Sequence, residues 1–551
     1  MQTKKLKIIP LGGLGEFGMN CLALRWEDDI IVIDAGLMFP ESELLGVDIV
    51  VPDISYLVEN KQHVRGIILS HGHEDHIGGL PWILSELKVP IYATEFTLAY
   101  VEGKLEEHHL LDETELIEIV PKEKFTIGPF TIEPIRVTHS LVDCIALAID
   151  TPVGVVIHTG DFKIDLSPPD GKAFDLHTFA EYGKRGVLAL LQDSTNVDRS
   201  GYTPSEWAVR PRLDEIFSQT KKKLFFGCFS SSIYRIRIAL ELAAHYGRKV
   251  AIMGRSMMES SEIAQDLGYL EIPQGLIINP NQIKDYAPDK LCLLMSGTQG
   301  EPMSALSRAA VDNHKFARIA PGDTVLLSSR VIPGNEKSIF RVIDHLYRRE
   351  ANVIYDDGKS GLIHVSGHGC QEELRLLINL VRPKFFIPIH GDYRNLRKHA
   401  QVATETGVIG SAIVIEDGDV LELDKSNARK NGKVTAGRVL IDSGSNIDVV
   451  GDVVIRDRRI LSEDGIVLVV VAINKRTGKV ERTPEIVARG FGGADITDQC
   501  CDVVTTTLNS LSGEERTDYG QVKEKVRTEV KRSIQRSTGR RPLIMPVILE
   551  I

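Results

Sequence analysis

Over roughly the first 190 positions, apolar and polar residues alternate in short runs: "KLKIIPLG", "DIIVIDAG", "VRGIILSH", "FTIEPIRVTHS", "CIALAIDT", "GVVIHTGDF" and "VLALLQDSTN". Their length and β-branched content predict strands. Several end on a polar residue, namely Asp34, His71, His139, Asp161 and Asp193, which predicts one site built from loops along a single sheet edge. From about 205 to 355 the period changes. Strand-like runs such as "KKLFFGCF", "RKVAIMG", "KLCLLMSG" and "DTVLLSS" alternate with helical ones such as "RIRIALELAAHYG" and "SIFRVIDHLYRREA", the pattern of βαβ units on a parallel sheet. After 355 the first style returns and places His364, His368 and His390 near strand ends.

The α/β block therefore reads as an insertion. We expect a first domain part over 1–204, the inserted domain over 205–355 and the completing part over 356–449. A linker is expected over 450–464, where glycine and charge thicken, and a small α+β domain over 465–551. In that last domain Val522, Val526, Val530 and Ile534 recur every four positions with Lys and Arg between them. This predicts an amphipathic helix on a small sheet, with a basic face that touches RNA or joins subunits as the alternative.

The stretch "GLGEFG", 13–18, matches the glycine pattern of a dinucleotide-binding loop, and Asp34 has the matching spacing. A helix should then open at the glycines. The adjoining residues, "MNCLALRWEDDIIVIDAG", read instead as two more strands, so we expect a glycine turn in a β-meander.

At 551 residues the chain is too long for one core. Its 43% hydrophobic and 26% charged residues predict a soluble globular protein. No apolar run approaches the ~18 residues of a spanning helix, and the first residues lack the apolar stretch of a secretory signal, so no membrane and a cytoplasmic location are expected. The seven cysteines form no CxxC pair and are expected as buried thiols. A net charge of −11 argues mildly against a nucleic-acid partner, although a metal-centred cleft needs only local positive charge.

The densest chemistry is "HGHEDH", which puts His71, His73, Asp75 and His76 into six positions. Alternate residues of an extended loop point the same way, so His71 and His73 can share one metal while Asp75 and His76 hold another. Imidazole with carboxylate suits zinc, and manganese as the carboxylate share rises. A metal pair needs further ligands and a bridging carboxylate, for which His139, Asp161 and His390 are placed at strand ends. His158, three residues before Asp161, reads as support for a ligand. His63, His108, His109, His177, His245, His314, His345 and His399 have no such context. Ser231, Ser232 and Arg235, where a strand gives way to a helix, could meet a phosphate or simply cap the helix.

Together "DAG" with Asp34, "HGHEDH", "THS", "HTGDF" and "IHGD" resemble the motif series of the metallo-β-lactamase fold. Asp193 in "DST", His368 in "SGHG" and His390 resemble its β-CASP nuclease branch. With "LGGLGEFGMN", "HVSGHGCQEEL" and "PIHGDYRNLRKHA", the whole chain resembles the bacterial ribonuclease J family.

The resemblance implies an α/β fold: a metallo-β-lactamase αββα sandwich, an inserted β-CASP parallel-sheet domain and a small α+β C-terminal domain. It implies two divalent metal ions per subunit, one on His71, His73 and His139, the other on Asp75, His76 and His390, with Asp161 bridging and Asp34 orienting ligands. A water activated between the metals would attack phosphorus, His368 would protonate the leaving oxygen and Asp193 would orient it. The segment His364, Val365, Ser366, Gly367 and His368 would line a nucleotide site. The implied activity is 5′ to 3′ exonuclease, preferring 5′ monophosphate ends, plus endonuclease, in mRNA decay and rRNA maturation. Implied partners are RNA and other subunits, as a homodimer, a homotetramer or a hetero-oligomer with a paralogue or other RNA-decay factors. The alternatives are a hydrolase of small esters or amides, and a mainly scaffolding subunit of an RNA-degrading complex.

Overall fold

A computed structural model of the protein describes residues 4–41, 44–301, 303–332, 335–442, 448–490 and 496–551. The chain divides into two units, residues 1–38 with 50–439, and 39–49 with 440–551.

Alternation along single strands builds the layers of the first unit. In Cys21–Trp26, Leu22 and Leu24 face a core between two sheets, while Cys21 and Ala23 face helices outside. In Ile145–Thr151 of the second sheet, Ile145, Leu147 and Ile149 enter the same inner core, and Ala146 and Ala148 face outward. A strand buried on both faces needs a cover on each. Helices Leu80–Glu86 and Glu95–Glu107 cover the first sheet, and Leu176–Arg185 and Gln371–Val381 the second. The result is an αββα sandwich.

The first sheet has eight strands in the order Ala428–Lys433, Asp419–Leu423, Leu6–Gly12, Cys21–Trp26, Asp29–Ile33, Val64–Ile68, Ile91–Ala93, Leu116–Glu118. The second has seven: Ser411–Ala412, Phe385–Ile389, Val187–Asp193, Gly154–His158, Ile145–Thr151, Phe130–Arg136, Phe125–Ile127. Gly154–His158, Val187–Asp193 and Phe385–Ile389 are mutually parallel, as are Asp29–Ile33 and Val64–Ile68. Within each sheet their C-terminal ends therefore share one edge, where the polar strand-end residues collect.

The inserted segment carries a five-stranded, wholly parallel sheet in the order Lys249–Met253, Leu291–Met295, Leu224–Gly227, Thr324–Leu327, Asn352–Ile354. Phe225 faces one side, while Leu224 and Phe226 on the other join a hydrophobic cluster that also holds Phe179 and Leu377 of the sandwich. Insertion and sandwich thus share a continuous core. The glycines of "GLGEFG" form a turn, with Gly13, Gly15 and Gly18 at φ 88°, 103° and 85°. The chain then enters strand Cys21–Trp26 rather than a helix, as expected.

In the second unit, strand Ile466–Ile473 pairs antiparallel with Glu485–Arg489 and parallel with Leu543–Glu550. Helices Thr497–Asn509 and Tyr519–Thr538 cover one face, and Val522, Val526, Val530 and Ile534 are fully buried there. The stretch expected as a linker over 450–464 contains a twelve-residue helix, Asp452–Glu463. Its charges form solvated faces, with Arg459 and Glu463 paired at 3.3 Å, and Arg458 donates to the carbonyls of Leu45 and Gly46.

Candidate metal centre

Four of the seven candidate ligands lie just past a strand: His71 after Val64–Ile68, His139 after Phe130–Arg136, Asp161 after Gly154–His158, His390 after Phe385–Ile389. His73 caps the short helix Glu74–Ile77, which turns Asp75 and His76 back toward the same point. His71 Nε2 and His139 Nε2 lie 3.0 and 3.2 Å from His73 Nδ1. Beside them, His76 Nε2 lies 3.2 Å from Asp161 Oδ2, and His390 Nε2 lies 3.3 Å from Asp75 Oδ2 and 3.6 Å from Asp161 Oδ2. Asp161 Oδ2 is also 3.8 Å from His71 Nε2, so it faces both groups.

The outer ring nitrogens decide which way the protons sit. His76 Nδ1 is 2.8 Å from Asp34 Oδ2 and His139 Nδ1 is 2.8 Å from the Gly367 carbonyl, so both nitrogens donate. Ser70 Oγ donates to Asp34 Oδ2 at 2.9 Å, which leaves its oxygen to accept from His71 Nδ1 at 3.0 Å. The Nε2 atoms of His71, His76 and His139 therefore turn inward, toward the other histidines and the carboxylates. Histidine nitrogens with carboxylate oxygens are the donor set of a divalent metal. Groupings of three (His71, His73, His139) and four (Asp75, His76, Asp161, His390) ligand atoms each lie within 4.8 Å. The residues fit a divalent metal site.

Electrostatics divide the two groups. Burial, reinforced by the neighbouring rings, lowers His71 and His139 well below the usual histidine range, and burial lowers His73 to about 4. Burial also opposes charge on His76 and His390, but Asp161, Asp75 and their neighbours outweigh it, raising His76 strongly and His390 to about 9. In return Asp161 is held well below the carboxylate range despite its burial, by His390 first and then His76. The second group is thus a site that already draws positive charge.

Next to the ligands, His368 Nδ1 donates to Asp193 Oδ2 at 2.8 Å and lies 4.0 Å from Asp161. Its side chain is 19% exposed, against 3% for Asp161. Burial lowers its pKa, but the Asp193 and Asp161 carboxylates prevail and raise it. Asp34 and His390 both adopt left-handed backbone, φ 62° and 56°, an uncommon conformation for non-glycine residues that occurs at sites the fold over-determines. A Cβ on Gly367 would lie 2.6 Å from the His139 ring, so only glycine lets that carbonyl reach it.

Of the expected nucleotide-contacting residues, Ser366 and Gly367 lie at the centre. Ser366 Oγ accepts from Asn196, and the Gly367 carbonyl holds His139. His364 is half-buried and kept neutral by burial and by the nearby Arg235 and Lys163. Val365 points into the core and can offer only its backbone. Ser231 and Ser232 are half-buried, and Ser232 makes no capping bond to helix Ile233–His245. Arg235 is a correction. It is 1% exposed, and its guanidinium donates to Glu206 Oε2, Ser328 Oγ and the Ile363 carbonyl. Glu206, itself bound to buried Lys163 at 2.6 Å, draws it inward. His158 Nδ1 accepts from Gly160 N–H, shaping the turn before Asp161, and lines a narrow pocket with Asn20, His76 and His390.

Sequence reasoning missed Asn20, Ser70, Thr195 and Asn196. Asn20 Nδ2 donates to the Asp75 carbonyl, and Asn196 Nδ2 donates to Ser366 Oγ and the His368 carbonyl at 2.9 Å each. The available signal was adjacency, since Ser70 precedes His71 and "STN" comes directly after Asp193.

Four family models match in chain order: "Metallo-beta-lactamase superfamily" at 14–200, "Ribonuclease J, beta-CASP domain" at 221–346, "Zn-dependent metallo-hydrolase RNA specificity domain" at 362–414, and "Ribonuclease J C-terminal domain" at 453–551. Ribonuclease J2 of Bacillus subtilis is 38% identical over 100% of this chain and 99% of its own length. The chain belongs to the ribonuclease J family. Ribonuclease J of Synechocystis is 44% identical over 89% of this chain and 76% of its own, and that of Helicobacter pylori is 40% identical over 89% and 71%. A crystal structure of an Enterococcus faecalis protein of unknown function shares the fold, with TM-score 0.56, 17% identity, and coverage of 76% of this chain and 100% of that one. As a member of the family the protein is a metal-dependent ribonuclease, with metallo-β-lactamase, β-CASP and ribonuclease J C-terminal domains. Among the described residues no helix is long and apolar enough to cross a membrane.

Proposed function

We propose that the centre holds two divalent metal ions, zinc by its histidine-rich donors, and cleaves RNA phosphodiesters to leave 5′ phosphates. His71, His73 and His139 would hold one ion, Asp75, His76 and His390 the other, and Asp161 would bridge them. When bound, the pair supplies a nucleophilic water at neutral pH and neutralises charge on the phosphoryl oxygens. Asp34 and Ser70 keep His76 and His71 in the tautomer that turns Nε2 inward. His368 gives its outward-facing proton to the leaving 3′ oxygen, while Asp193 fixes the ring and stabilises the protonated form. The His368–Asp193 pair, 2.8 Å apart beside the ligand cluster, is the observation that carries this reading, because hydrolysis of small esters does not require it.

The finer reading is 5′ to 3′ exonuclease activity with a preference for 5′ monophosphate ends, together with endonuclease activity, in mRNA decay and rRNA maturation. It rests on family membership and on His364, Ser366 and the backbone at Gly367 as a compact donor set. Cytoplasmic location, assembly as a homodimer or homotetramer, and pairing with a paralogue belong to the same reading. Purified protein with zinc or manganese should release mononucleotides from end-labelled RNA, faster from a 5′ monophosphate than from a 5′ triphosphate. Equal rates on both ends would remove the end preference, and intact RNA under every metal would remove the reading.

A further inference from the structure

The hydroxyl of Thr195 lies 2.7 Å from His390 Nδ1 and 2.6 Å from Asp193 Oδ1. The carboxylate can only accept, so the Thr195 O–H donates to Asp193 and its oxygen is left to accept from His390 Nδ1–H. The same device stands across the site, where Ser70 Oγ donates to Asp34 and accepts from His71. In each case a buried aspartate, a hydroxyl and an inward-facing histidine form one chain, and the aspartate holds a second histidine: His76 on Asp34, His368 on Asp193.

A local turn accounts for part of this, since Thr195 N–H also donates to Asp193 Oδ1 at 2.9 Å, a common Asx arrangement. It does not account for His390, which is 195 positions away in sequence. The turn is also pinned from behind by the helix Tyr393–Glu405, which begins just after His390: Asn395 Nδ2 donates to the Ser194 and Thr195 carbonyls, and His399 Nδ1 lies 2.9 Å from Ser194 Oγ. The hydroxyl is therefore held in a fixed place relative to the ring that it orients.

We infer that Thr195 is a positioning residue that locks His390 with Nε2 toward the metal and, through Asp193, ties that ligand to the proton donor His368. One hydroxyl thereby sets both metal affinity and the proton-transfer step, which rests on the metal-dependent reading above. Outer partners of metal-bound histidines typically contribute about 10- to 100-fold in metal affinity or activity.

The test compares Thr195→Val, which keeps the shape and loses the hydroxyl, with Thr195→Ser, which keeps the hydroxyl. Thr195→Ala serves as a second hydroxyl-free variant should the valine disturb folding. Zinc affinity is read by competition with a chromophoric chelator, and RNA cleavage is split into kcat and KM. The expected result is about 10- to 100-fold weaker zinc binding in the hydroxyl-free variants, a comparable fall in kcat, KM within about twofold, and recovery of both losses in Thr195→Ser. Wild-type zinc affinity and kcat in Thr195→Val or Thr195→Ala would overturn the inference, as would a Thr195→Ser variant as impaired as Thr195→Val. The zinc measurement does not depend on RNA. If the wild type bound zinc but cut no RNA, the ribonuclease reading alone would fall while the role of Thr195 was still decided.

Discussion

At the scale of single residues, four of the five inward-facing histidines have an outward nitrogen with a named acceptor: Ser70 for His71, Asp34 for His76, the Gly367 carbonyl for His139 and Thr195 for His390. His368 sits beside the candidate ligands, more exposed than Asp161 and paired to Asp193. His368→Ala should therefore leave bound metal unchanged while slowing cleavage by about 100- to 10,000-fold, the usual contribution of a positioned general acid. Loss of metal in this variant, seen by elemental analysis, would contradict the assignment. Away from the site, burial and the nearby Glu16, Glu416 and Asp419 push the half-buried Asp417 up to about 8, although its carboxylate accepts from Leu14 N–H at 3.1 Å. Between an unfolded value near 3.8 and this folded value the native protein holds the extra proton, so stability falls as pH rises through that window. Asp417→Asn removes this dependence. Its melting temperature should exceed that of the wild type by a margin that grows from pH 6 to pH 8, and a constant margin would refute the shift.

The cluster of candidate ligands was legible in the sequence because three histidines and an acid in six positions have few other uses. Thr195 and Asn196 were not, because their partners are His390, Ser366 and His368, more than 160 positions away. Arg235 misled for the mirror reason. A cation beside serines suggests a phosphate, and nothing local reveals that Glu206, 29 positions earlier, takes it.

At the scale of elements, Arg235 joins helix Ile233–His245 to Ser328, just past strand Thr324–Leu327, and to the Ile363 carbonyl, which leads into the His364–His368 segment. Removing it strands Glu206, which is 1% exposed, with half of its partners. Arg235→Ala should cost about 3–5 kcal/mol in denaturant unfolding, the scale of a broken buried pair. A variant of wild-type stability with only a raised KM for RNA would restore the phosphate role. Strands and helices matched the sequence pattern well, including the turn at "GLGEFG". Helix Asp452–Glu463 escaped it because, with most of its surface solvated, Val453 and Val454 at 60% and 44% exposure give no clean apolar stripe.

At the scale of the whole molecule, a net charge of −11 coexists with a site that draws cations, because the acidic residues that matter are concentrated at one sheet edge. The insertion was visible as a change of period, but the core it shares with the sandwich was not, since that depends on which faces of distant strands meet. This edge is proposed to be a two-metal phosphodiesterase centre. It is tested most directly by measuring RNA cleavage while zinc is titrated into metal-stripped protein with the bound metal counted per chain. We predict no cleavage without metal and full activity only as the ratio approaches two. Full-rate cleavage by stripped protein, or none at a ratio of two, would contradict it.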